Sequence, residues 1–225
     1  MIRKLVISIV FTLLIIVGYA QEKKPLTPQE ALKYWRPPSW QKPTDSLIVD
    51  GSEAYNLHLN KFIDSLRIDG VDSVIVFSTQ YIGYSSMNEC DTGGSPIKTF
   101  IIWNKGGATS IRKIQGRCSI DVSRTSSEDL FGLYANNQAK LRKEYFMPVI
   151  SKAWLNKYKT MDFLISWVDH EPNYSFFYKV GKDSRCLRFN ESFLEDEQSM
   201  FHNYNLALKT YAWWKMVKKE VGQKD

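Results

Sequence analysis

Apolar side chains recur along this chain with two different periods, and the changes of period mark its elements. Between residues 52 and 68, Tyr55, Leu59, Phe62, Ile63 and Leu66 fall at three- and four-residue steps, so they share one helical face, and Gly70 supplies the stop. Val74-Ile75-Val76-Phe77 then opens a β-branched and aromatic run reaching Tyr84, and residues 97–103 form a second run of the same kind. After Lys105-Gly106-Gly107 a third run, residues 109–114, alternates in polarity. Residues 97–114 therefore read as a hairpin turning on two glycines, and the three runs as an antiparallel meander. Leu130, Tyr134, Leu141 and Tyr145 share a helical face, with Glu128 and Asp129 at its start and Lys140, Arg142 and Lys143 near its end before Pro148. Residues 154–158 read as a short helical continuation and residues 161–168 as another apolar run. Residues 174–180 and 186–189 flank Gly181-Lys182-Asp183 as a second hairpin. Ser192-Phe193-Leu194-Glu195 has the spacing of a capping box, which predicts a last helix running to Lys219. Phe201, Tyr204, Leu208 and Tyr211 form its apolar stripe, broadened by Trp213, Trp214 and Val217.

This order, without regular βαβ alternation, predicts an α+β fold: an antiparallel sheet made of a three-stranded meander plus a later hairpin, with helices packed on one face. A single domain over residues 50–225 is expected, because no internal repeat or second linker interrupts it. Ahead of it, residues 21–49 hold five of the eight prolines and form a proline-rich arm. Within the arm, Thr27-Pro28-Gln29-Glu30 predicts a short capped helix through Trp35, and Trp35 and Trp40 are expected to tack the arm down.

The first twenty residues change the picture of where the chain works. Arg3 and Lys4 precede an apolar run over residues 5–17, and Gly18-Tyr19-Ala20 places small residues where a signal peptidase cuts. Residues 1–20 therefore read as a secretory signal, cleaved before Gln21, and the mature chain as periplasmic or secreted with no stable membrane insertion. The apolar run is shorter than the roughly 20 residues a spanning helix needs. Cleavage takes Arg3 and Lys4 away and lowers the net charge from +6 to +4. So small and dispersed an excess, on an exported protein, argues against a nucleic-acid partner. Three cysteines entering an oxidising compartment predict one disulfide and one leftover thiol. In an up-down-up meander the first and third strands finish at the same end, which favours Cys90–Cys118, with Cys118–Cys186 as runner-up.

Candidate chemistry is sparse. Asp91-Thr92-Gly93 is similar to the aspartic-peptidase triplet, in which paired carboxylates share a proton. Here it follows Asn88-Glu89-Cys90 instead of an apolar strand, no second triplet occurs, and Gly93-Gly94-Ser95-Pro96 reads as a turn. Asp169-His170-Glu171 is the densest titratable cluster, a candidate base with an orienting carboxylate, although neighbours on an extended segment point apart. The histidines and cysteines lack metal-ligand spacing, and no phosphate loop or nucleophile elbow is present, so neither metal nor cofactor is expected. Trp35, Trp40 and Trp103 are the rings not claimed by an apolar stripe, and hence the candidate ligand-stacking residues. The reading these features support is an exported, non-catalytic binding or interaction module whose partner is a protein, peptide or envelope component. The alternative is a carboxylate-based hydrolase of the envelope using Asp91 with Glu89, or Asp169 with Glu171.

Overall fold

Val74-Ile75-Val76-Phe77 lies at the middle of a six-stranded antiparallel sheet, within β1 (Ser73–Tyr81), and residues 74–79 of that strand are buried without interruption. A strand covered on both faces has no polar side to alternate with, so it reads as a continuous apolar run. The fold is seen in a computed structural model, which describes residues 24–36, 44, 46–47, 49, 53–81, 97–115, 118–122, 129–165 and 171–222. The other strands of the sheet are β2 (Ile97–Lys105), β3 (Ala108–Gln115), β4 (Cys118–Val122), β7 (Pro172–Val180) and β8 (Asp183–Asn190), in the spatial order β4-β3-β2-β1-β7-β8. Val76 is the pivot of the register, opposite Ile101 on one side and Phe177 on the other. Gly106 and Gly107, with φ of +61° and +83°, make the two-residue turn between β2 and β3, a conformation that suits the strand twist and that glycine adopts at no steric cost.

The antiparallel α+β class is as the sequence predicts, and the structure extends it in two ways. The meander has a fourth strand, β4, and the later hairpin of β7 and β8 joins the same sheet through β1. Helices also cover both faces rather than one. Leu59, Ile63 and Leu66 of α2 (Glu53–Ile68) pack with Val74, Val76, Ile101 and Phe177, beneath Leu47 and Val49. On the opposite face, Leu130, Tyr134 and Leu141 of α3 (Leu130–Leu141) and Trp213, Trp214 and Val217 of α6 (Lys209–Glu220) pack with Ile75, Phe77, Phe176 and Tyr178. Helix α2 ends in a Schellman turn: Val71 N–H reaches Leu66 O at 2.9 Å, Gly70 N–H reaches Arg67 O at 3.0 Å, and Gly70 takes a φ of +82°.

The chain forms two compact units: one comprises residues 24–35 and 152–164 among those described, and the other residues 36–151 and 165–222. In the smaller unit α1 (Pro28–Tyr34) starts from the expected capping box, Thr27 N–H donating to Glu30 Oε2 at 2.9 Å and Glu30 N–H to Thr27 Oγ1 at 3.3 Å. The unit also holds residues 152–164 of a hairpin of β5 (Ile150–Leu155) and β6 (Met161–Ile165), so the helix expected over residues 154–158 is a strand followed by a turn. Asn156 imposes that turn: its Oδ1 accepts from Tyr158 N–H at 2.9 Å and Thr160 N–H at 3.1 Å, and Lys159 takes a φ of +58°.

The single terminal helix expected over residues 192–219 is instead three: α4 (Ser192–Glu195), α5 (His202–Leu206) and α6. The capping box of Ser192 does not form, because the Ser192 hydroxyl donates to Glu171. Fully buried Asn205 holds the break open by donating to Met147 O at 2.8 Å and Phe193 O at 2.6 Å and accepting from Met147 N–H at 2.8 Å. The topology also removes the runner-up disulfide. Cys118 and Cys186 lie on β4 and β8, opposite edges of the sheet, five strand spacings or about 24 Å apart, against the roughly 4–7 Å that a disulfide spans. The favoured pair involves Cys90 and the Cys118 side chain, which lie outside the described residues. Asn205→Ala is expected to cost about 3 kcal/mol in chemical denaturation, because it strands buried backbone groups, while exposed Asn203→Ala stays within about 0.5 kcal/mol.

Candidate functional site

Of the candidate catalytic residues, Asp91, Asp169 and His170 lie outside the described residues, and Glu171 stands at the mouth of β7. Glu171 is already engaged by its own neighbourhood. Its Oε2 accepts from Ser192 N–H at 2.7 Å, and its Oε1 accepts from Ser192 Oγ at 2.9 Å and Asn190 Nδ2 at 3.0 Å, so it ties the start of β7 to the first turn of α4. Glu191 stands beside it. Tyr174 donates to Glu191 Oε1 at 2.6 Å, and Lys218 Nζ approaches the same oxygen at 4.0 Å. Burial first, and then the bond to Glu191, raise the Tyr174 hydroxyl above the ordinary tyrosine range. Both carboxylates thus hold α4 and α6 to the end of the sheet.

Among the described residues the carboxylate held furthest below its usual range is Asp183, at the β7–β8 turn, where the sequence offers no motif. Tyr134, Gln138 and Arg142, all on or just after α3, donate to it, and the Arg142 guanidinium foremost holds its carboxyl down at about 2. Next to it Arg185 donates to Leu141 O at 2.9 Å and to Glu144 O, closing the C-terminal carbonyls of α3. Glu144 in turn accepts from Thr210 N–H at 2.8 Å and Thr210 Oγ1 at 2.9 Å at the start of α6. This chain of bonds fastens α3 and α6 to the sheet, a structural use of a shifted carboxylate.

Among the candidate stacking residues, Trp40 lies outside the described residues. Trp35 is only 4% exposed and packs on Phe163 with ring centroids 5.5 Å apart, while half-buried Trp103 meets Phe62 edge-on at 5.9 Å. Their rings serve packing. Most of the large apolar side chains that do reach solvent among the described residues are on the hairpin unit: Tyr158 is 74% and Leu164 52% exposed, and Phe163 and Tyr34 are exposed as well. Lys24, Lys33, Lys152, Lys157 and Lys159 are exposed on the same unit against the acids Glu30 and Asp162, and Lys157 Nζ lies 4.9 Å from the Tyr158 ring centroid. Asn156 fixes this basic, aromatic tip, and a further hydrogen bond, from Nδ2 to Asp162 Oδ1 at 3.0 Å, joins the tip to β6. The signal was present in the sequence as Asn156-Lys157-Tyr158-Lys159-Thr160, a polar turn between two apolar runs.

Among the described residues no group of His, Cys, Asp and Glu is arranged to hold a metal ion, and no helix is long and apolar enough to cross a membrane. Compared with known proteins, the chain matches no family model, no curated protein and no solved structure.

The Asp183 clamp gives a pH dependence of defined sign. Its folded pKa of about 2 lies below the ordinary value of 3.8, so its stabilisation is present above 3.8 and is lost as pH falls toward 2. Asp183→Asn is expected to lower the denaturation midpoint at pH 7, with the deficit against wild type closing between pH 4 and pH 2. A deficit that persists at pH 2 contradicts the clamp.

Proposed function

We propose that the protein is an exported, non-catalytic binding module of the cell envelope or exterior, periplasmic or secreted, that meets its partner through the hairpin unit. The observation that carries the binding half is the placement of exposed apolar side chains. Of the six large hydrophobics exposed among the described residues, Tyr34, Tyr158, Phe163 and Leu164 belong to the smaller unit, and only Leu57 and Ile68 to the larger. Scatter over the surface would favour the larger unit, and concentration on one small unit is what a contact surface looks like.

The export half is supported by the N-terminal pattern of Arg3 and Lys4, the apolar run and Gly18-Tyr19-Ala20. In an oxidising compartment Cys90 and Cys118 are the pair we expect to join. This is supported by the start of β4 at Cys118, opposite Gln115, at the end of the sheet where residues 82–96 connect β1 to β2. A bridge closing that loop would stabilise the fold by about 3 to 4 kcal/mol. Peptide mapping of the protein isolated from its host without reductant is expected to find a mature N-terminus at Gln21 and a Cys90–Cys118 cross-link. A chain recovered from the cytosol with Met1 in place and all thiols reduced would reject the export reading.

A further inference from the structure

We infer that the partner of the hairpin unit is an anionic lipid surface, which the unit meets peripherally with its lysines and exposed aromatic and aliphatic side chains. The inference rests on the binding-module reading and names its partner. Three observations carry it. The described part of the unit has five lysines against two acids, so it is positive although the chain's overall excess is modest. Every one of those cations is lysine. Protein–protein contacts favour arginine, whose planar fork pairs with carboxylates, and are poor in lysine, whereas lysine meets a diffuse anionic surface as a point charge on an apolar stem. Finally, the apolar groups share the unit with the lysines: Lys157 and Lys159 flank Tyr158 in the turn, and Phe163 and Leu164 follow on β6. Tyrosine is at home at the headgroup level, where its ring is in the apolar boundary and its hydroxyl stays wet.

The hairpin is suited to this work because its tip is built independently of any lipid. The Asn156 bonds to Tyr158, Thr160 and Asp162 define the turn, so the ordering cost is already met before docking. No residue of the unit spans the bilayer in this arrangement.

The test is co-sedimentation of the full mature chain, residues 21–225, with vesicles of phosphatidylcholine alone and of phosphatidylcholine with 30% phosphatidylglycerol. Binding is expected to the anionic vesicles only, and to fall as salt rises. Each lysine near an anionic surface contributes about fivefold in partitioning, so Lys157→Glu with Lys159→Glu is expected to lower binding at least about tenfold. Tyr158→Ser, which leaves charge unchanged, is expected to lower it severalfold. All three positions are exposed, and unchanged denaturation midpoints show that the variants fold. The matched control, Lys140→Glu with Lys143→Glu near the end of α3, alters net charge equally and is expected to leave binding within about twofold. Equal losses from both pairs, equal binding to both vesicle types, or no vesicle binding by a folded, oxidised chain would each overturn the lipid assignment. So would a concentration-dependent dimer that Leu164→Ser dissolves, which would make a second copy the occupant. The export reading is decided separately, by the mature N-terminus and the cross-link.

Discussion

The rest of the structure depends on one constraint, that β1 must be covered on both faces and paired along both edges. Val74, Ile75, Val76 and Phe77 are each at most 1% exposed, and burying side chains of that kind stabilises a fold by about 1.5 to 3 kcal/mol apiece. No single helix layer can do this. Helix α2 covers the face of Val74 and Val76, and α3 with α6 covers the face of Ile75 and Phe77. Along the edges, β2 is supplied by the neighbouring sequence, but β7 comes from about a hundred residues further on. The local meander is therefore incomplete until the second half of the chain arrives, and the pairing of β1 with β7 is the long-range step that closes the sheet.

The polar ties between helices and sheet follow from that closure. Two groups of hydrogen bonds meet at the C-terminal end of α3: Asp183 accepts from Tyr134 and Arg142, and Arg185 donates to Leu141 O and Glu144 O while the Glu144 carboxylate accepts from Thr210 at the start of α6. At the other end of the sheet Glu171 and Glu191 tie α4 and α6 to β7. Among the described residues, Glu171, Glu191, Glu144 and Asp183 are engaged in fastening helices to strands, and four of the six exposed large hydrophobics stand on the hairpin unit.

How much of this was legible depends on how local each determinant is. The Gly106-Gly107 turn, the capping box of Thr27 and the Gly70 stop are written within a few residues, and each is realised in the structure. The break in the last helix is not local. Phe201, Tyr204, Leu208 and Tyr211 keep helical spacing straight across it, while the bonds that enforce it join Asn205 to Met147, 58 residues away. Ser192 illustrates the same point, because its capping role is taken over by Glu171, 21 residues earlier. Strand β4 is only five residues long, too short for its alternation to register, and residues 154–158, where Trp154 and Tyr158 stand four apart as in a helix, are the end of β5 and its turn. For the site, residue type pointed to Asp91, Asp169, His170, Glu171 and three tryptophans. The exposed tip at Tyr158 carries no chemical motif and becomes visible only when burial is known.

Hydrogen exchange of the mature chain, with and without anionic vesicles, tests the central claim of a core covered on both faces of β1 and a hairpin unit that meets lipid. The slowest amides should be those of residues 74–79 and their partners in β2 and β7, unchanged by vesicles, with added protection confined to residues 24–35 and 152–164. Fast exchange in β1, or vesicle protection spread over the sheet and absent from the hairpin, would contradict it.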